Sequence, residues 1–107
     1  MKTFNDLEFK NMPDYYQGVQ AIIKFDNGYG ASIVRHKFSY GHEEGLYELA
    51  VLDSDDAIAY DTPVTEDVLG YLSEDDVTDA LRQIQELSPD NNDTELNSLE
   101  STLGQAE

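Results

Sequence analysis

Cysteine and tryptophan are absent from this chain, and lysine and arginine together number six. Without cysteine there is no disulfide framework, no thiolate metal site and no thiol nucleophile, which fits a reducing compartment. Six basic side chains among twenty-three acidic ones cannot build a basic patch of any length. Direct nucleic-acid binding draws its affinity from counterions released as Lys and Arg neutralise phosphates, so none is expected here. No apolar run approaches the roughly 18 residues of a membrane span. The opening MKTFNDLEFK lacks the apolar segment of a secretory signal, so a soluble, cytoplasmic protein without membrane contact is expected.

Catalytic inventory is equally thin. His36 and His42 are the two histidines, and no Gly-x-Ser-x-Gly elbow, His-Glu-x-x-His pair, P-loop or dinucleotide fingerprint occurs. Asp53-Ser54-Asp55-Asp56 begins like a calcium loop. The pattern then wants Asp or Asn at loop position 5, glycine at 6 and glutamate at 12, and finds Ala57, Ile58 and Val64. Asp90–Glu95 fails in the same way, with Glu95 at the glycine position and Ser101 at the twelfth. Neither a catalytic residue, a metal site nor a cofactor is expected.

What is abundant is negative charge. Net charge is −17 over 107 residues, far from the small values usual for one domain. Thirteen carboxylates and no lysine or arginine lie between Phe38 and Leu81. Apolar patterns are threaded through those acids, so the run reads as a folded surface of one sign. Such a surface projects a fixed field that steers basic partners and repels polyanions.

The patterns predict an α+β fold. Val19–Phe25 places Val19, Ala21, Ile23 and Phe25 on one face, and Tyr29–His36 reads as the return strand. Asn27-Gly28 between them predicts a type I′ hairpin turn, which needs positive φ at both residues. Leu7 and Phe9 suggest a short strand near the start. Leu46–Leu52 is the most apolar strand, with Tyr47, Leu49 and Val51 facing one way. Asp53–Asp56 reads as an acidic turn and Ala57–Tyr60 as a short strand closing a second hairpin.

Val68, Leu69 and Leu72 fit a short amphipathic helical turn or two. Ser73-Glu74-Asp75-Asp76 is a stronger helix start, a serine cap with acids where they complement the dipole. Val77, Ala80, Leu81, Ile84 and Leu87 then form a stripe fit to cover one sheet face. The expectation is a single domain over 1–87: an antiparallel sheet of four or five strands under one main helix. Residues 88–107 hold five acids, no base and three spaced leucines, a composition that predicts a disordered acidic tail.

MKTFNDLEF, NGYGASIVRHKFSYG, LYELAVLDSDD and YDTPVTEDVLGYLSEDDVTDALRQIQEL together resemble a group of small acidic proteins encoded by tailed bacteriophages. The resemblance covers residues 1–87. It implies a phage product acting in the cytoplasm of an infected bacterium, and carries no assigned activity. By analogy with host-takeover and counter-defence factors, it implies an inhibitor of a host nucleic-acid or defence enzyme.

Charge geometry points the same way. Alternate strand residues lie about 6.7 Å apart, the scale of phosphate spacing along one DNA strand. Asp53 and Asp55 could sit so, and Asp76 and Asp75 precede Asp79 by three and four residues on the helix. The expected partner is therefore a basic surface on a nucleic-acid-binding protein. Asp53, Asp55, Asp56, Asp61, Asp75, Asp76 and Asp79 are the expected contact residues, with Tyr40 and Tyr47 as aromatic anchors. Two alternatives stay open: a virion accessory protein that self-associates into homo-oligomers, and a small metal-dependent module.

Overall fold

The computed structural model describes residues 1–89. Five antiparallel strands lie side by side in chain order: β1 (Lys10–Asn11), β2 (Val19–Lys24), β3 (Gly30–Arg35), β4 (Tyr47–Leu52) and β5 (Val68–Leu72). Helix α1 (Glu74–Gln85) covers one face of this meander. The fold is the expected α+β sheet with one main C-terminal helix. Ser88 and Pro89 follow the helix without regular structure. The rest of the expected acidic tail lies outside the described residues.

Alternation in the strands creates the core. Ala21 pairs with Ile33, Ile33 with Leu49, and Leu49 with Leu69, a row that crosses the sheet on its covered face. Val77, Ala80, Leu81 and Ile84 descend onto it from α1, and Ile33, Leu49, Val51, Val77, Leu81 and Ile84 are fully buried. Burying a side chain of this size stabilises by roughly 1.5–3 kcal/mol, so this interlayer contact dominates the stability. The helix begins as its sequence predicts: Ser73 Oγ accepts from the Asp76 N–H at 3.1 Å, and Asp76 Oδ2 accepts from the Ser73 N–H at 3.1 Å. That reciprocal pair satisfies two otherwise orphaned donors.

Four local expectations are corrected. The segment around Leu7 and Phe9 is not a strand beyond Lys10–Asn11. Phe4–Asp6 forms a 3-10 turn, and Phe4, Leu7 and Phe9 pack against the core instead. Gln85 straps this segment to α1 through a double hydrogen bond with the Lys2 backbone, both distances 2.9 Å.

The β2–β3 turn is not type I′. Gly28 alone of its residues has positive φ, at 92°, and the Gly28 N–H donates to the Phe25 carbonyl at 3.2 Å. The loop is thus three residues long, a type I turn ended by a left-handed glycine. The cause is tertiary. Asn27 Nδ2 donates to the carbonyls of Ile84 at 2.9 Å and Leu87 at 3.2 Å, plugging the C-terminal end of α1, while Asn27 Oδ1 accepts from the Tyr29 N–H.

Ala57–Tyr60 is not a strand. One bridge joins Ile58 to Leu52, and the Ala59 N–H donates to the Val51 carbonyl at 2.8 Å, enough to fold this segment over the end of β4. Val68–Leu72, expected as helix, is instead the fifth strand. Tyr47 pairs with Leu72 and Leu49 with Leu69, so three steps on β5 oppose two on β4. This is a β-bulge, with Tyr71 at φ 57°. The extra residue brings Leu69 and Leu72 onto the same buried face, which is how an i, i+3 spacing that mimics a helix arises in a strand.

Candidate functional site

The nine expected contact residues do not form one patch. Asp53, Asp55, Asp56 and Asp61 follow the Leu52 end of β4, whereas α1 starts after Leu72, which pairs with Tyr47 at the other end. A six-residue strand at roughly 3.4 Å rise separates the two groups by about 17 Å. The continuous acidic run in the sequence becomes two acidic ends of one sheet.

Several of these carboxylates already have structural partners. Asp53 Oδ1 accepts from the Asp55 N–H at 2.9 Å and the Ala57 N–H at 3.1 Å, closing a turn. Asp53 and Asp55 therefore belong to a turn and do not lie at alternate positions of an extended strand. Asp56, at φ 64°, is ion-paired with Lys24. Asp76 is occupied by the helix cap.

Asp79 Oδ1 receives Arg82 Nη2 at 2.6 Å and Asp79 Oδ2 receives Gln83 Nε2 at 2.9 Å. The hydrogen bond from Arg82, then that from Gln83, holds the Asp79 carboxyl below the usual aspartate range. Arg82 is held above its own, first by that same hydrogen bond, and also meets Glu86 at 2.9 Å. Asp55, Asp61 and Asp75 are exposed and make no ion pair among the described residues. Of the seven expected acids, Asp56 and Asp79 have their charge met by a cation, while Asp53 and Asp76, held by backbone N–H groups, and these three keep theirs uncompensated.

The two tyrosines part company. Tyr47 is 8% exposed and sits in the core. Its ring meets Phe4 at 5.3 Å and Phe9 at 5.4 Å, with the Arg35 guanidinium 4.9 Å from its centroid. It is a packing residue, and its assignment as a contact anchor is corrected. Tyr40 is 59% exposed and stacks on Tyr71, equally exposed, with centroids 6.5 Å apart and planes at 22°. Gly70 makes this pairing possible, since a Cβ there would lie 2.6 Å from Tyr40 Cβ. The Tyr40 N–H is fixed by Glu48 Oε1 at 3.1 Å.

Sequence reasoning missed the face of the sheet opposite α1. Gln20, Ile22 and Lys24 share that side of β2, and Ile22 interrupts an otherwise polar row. That lone isoleucine was the available signal. Ile22 is 60% exposed and Ile58 40%. A second missed feature is an aromatic group at the opposite end of β2 from its hairpin turn. Tyr15, Tyr16, His36 and Phe38 lie with centroids 5.4–6.1 Å apart, and Lys37 Nζ stands over the rings of Tyr15 and Phe38.

Among the described residues, no group of three or more His, Asp or Glu side chains is placed to hold a metal ion. No helix among them is long and apolar enough to cross a membrane. Comparison with known protein families, curated proteins and solved structures finds no match.

Proposed function

We propose that this chain is a non-enzymatic, phage-encoded protein that binds a basic surface of a host nucleic-acid-binding or defence enzyme and blocks it by charge and shape. Its place of action is the cytoplasm of the infected bacterium. The observation that carries this reading is the state of the carboxylates. Asp55 stands exposed in a turn locked by Asp53, Asp61 stands exposed farther along the same connection, and Asp75 stands exposed on the first turn of α1. Each is an exposed charge with no ion-pair partner among the described residues. Against six basic residues and a net charge of −17, the long-range field is negative throughout.

The two histidines are engaged within their own loop. His36 Nδ1 accepts from the Phe38 N–H at 3.1 Å, and His42 Nδ1 lies 3.3 Å from the Ser39 carbonyl, so both rings serve the shape of their loop. Capture from host lysate on the immobilised chain tests the proposal. A partner retained at low salt should leave as ionic strength rises and the Debye length shrinks. The triple variant Asp55→Lys, Asp61→Lys, Asp75→Lys should lose at least about tenfold in affinity while keeping its circular dichroism. Salt-insensitive capture that survives the triple variant overturns the proposal.

A further inference from the structure

The uncovered face of the sheet is a groove, and its shape follows from the register. One row across it reads Ile22, Ser32, Ala50, Val68; the next reads Lys24, Gly30, Leu52, with Ile58 bridged beyond. The two middle strands thus contribute the small residues Gly30, Ser32 and Ala50, with Leu52, to the floor, while Ile22 on one side and Ile58 on the other stand up as walls. No described element covers it. One-sided solvation is ordinary for antiparallel sheets, but the solvated side is then polar in alternation. Here Ile22, Ala50, Leu52 and Ile58 stand among Gln20, Ser32, Lys24 and Asp56, and both isoleucine walls are exposed. Exposed apolar surface of this kind marks contact sites.

Charge decides what fits. Lys24, the base lining this groove, is already paired with Asp56, and Asp55 lies exposed beside that pair. Glu48 stands toward the opposite end of β4, where it accepts from the Tyr40 N–H. The groove has apolar walls at Ile22 and Ile58, a mixed floor and an acidic group at each end. A second copy would bring another −17 and the same carboxylates against it. We propose that this groove is the docking site of an amphipathic basic segment of the partner protein. Its apolar side chains would lie between Ile22 and Ile58, and its arginines or lysines would meet Asp55 and Glu48. This inference rests on the binding role proposed above and adds the surface and the chemistry of its occupant.

Calorimetry on the full chain tests it with two synthetic probes of equal charge, an amphipathic leucine–arginine peptide of about 18 residues and an oligolysine. The amphipathic peptide should bind the more tightly and shift backbone amide resonances of β2, β3 and β4. The double variant Ile22→Ser, Ile58→Ser should weaken it about tenfold or more, because truncated apolar anchors dominate such contacts. Ala50→Leu, which fills the floor, should weaken it as well. Both variants should keep the wild-type circular dichroism.

Equal binding of the two probes, unaffected by either variant but lost on reversing Asp55 and Asp61, overturns the groove and leaves the carboxylate proposal standing. Binding lost in the isoleucine variant but indifferent to the charge reversals overturns the basic occupant and the carboxylate proposal together, and leaves a purely apolar contact on this face. A dimer in sedimentation that dissociates on Ile22→Ser gives the groove to a second copy and overturns the inference.

Discussion

The two faces of the sheet are built from the same strands, yet they have opposite fates. On the covered face Ala31, Ile33, Leu49 and Val51 meet Val77, Ala80, Leu81 and Ile84, and water is excluded. On the other, Ile22, Val34, Ala50 and Val68 are no less apolar, but no described element lies over them. The difference teaches that apolar character in a strand does not by itself mark the core. The core is where a second layer arrives, and the leftover apolar row is a surface with its own use.

The largest expected effect lies on the covered face. Leu49→Ala removes a fully buried side chain from the centre of the sheet and should destabilise by about 2–5 kcal/mol in denaturant unfolding. A loss below about 1 kcal/mol would mean that the helix is not seated on this face. Asn27→Ala comes next. It unplugs the carbonyls of Ile84 and Leu87 and loosens the β2–β3 turn from α1, with an expected loss of about 1–2 kcal/mol. Faster hydrogen exchange should follow in the last turn of α1 and leave β4 unchanged.

On the uncovered face the effect should nearly vanish. Ile22→Ser, at a position 60% exposed, should change unfolding free energy by no more than about 0.5 kcal/mol. A loss as large as that of Leu49→Ala would erase the distinction between the faces.

The smallest effect belongs to the surface ion pair. Because the folded-state pKa of Asp79 is lowered by Arg82 and Gln83, its favourable contribution is present above the unfolded aspartate pKa of about 3.9. It is lost as pH falls through the lower folded value. Arg82→Gln should move the Asp79 carboxyl back upward toward the ordinary range in an NMR titration. An unmoved titration curve would show that the pair does not persist in solution.

Much of this architecture was legible in the chain. The helix was announced by a serine followed by three acids and a stripe at 77, 80, 81 and 84, because capping and 3.6-residue periodicity act within a few residues. Strands β2, β3 and β4 were legible for the same reason, their alternation being local. Strand β5 was not. The unpaired backbone groups along one edge of β4 recruit Val68–Leu72, and the bulge at Gly70-Tyr71 gives Leu69 and Leu72 a spacing indistinguishable from a helical one. Of the residues expected at the site, Asp55, Asp61, Asp75 and Tyr40 are exposed. Tyr47 was misplaced, because a tyrosine on an apolar strand reads as either core or surface until its neighbours Phe4 and Phe9 are in place.

The sequence by itself determined the sign of the molecule's field, the missing thiol chemistry and the location of its helix, since charge, composition and short-range periodicity need no knowledge of what folds against what. Only the tertiary structure decided which carboxylates remain unpaired, that they stand at two ends of the sheet, and which apolar row is left uncovered. Those outcomes depend on contacts between residues far apart in the chain, Lys24 with Asp56 and Asn27 with Ile84 among them, and no local pattern encodes which distant partner a side chain will meet.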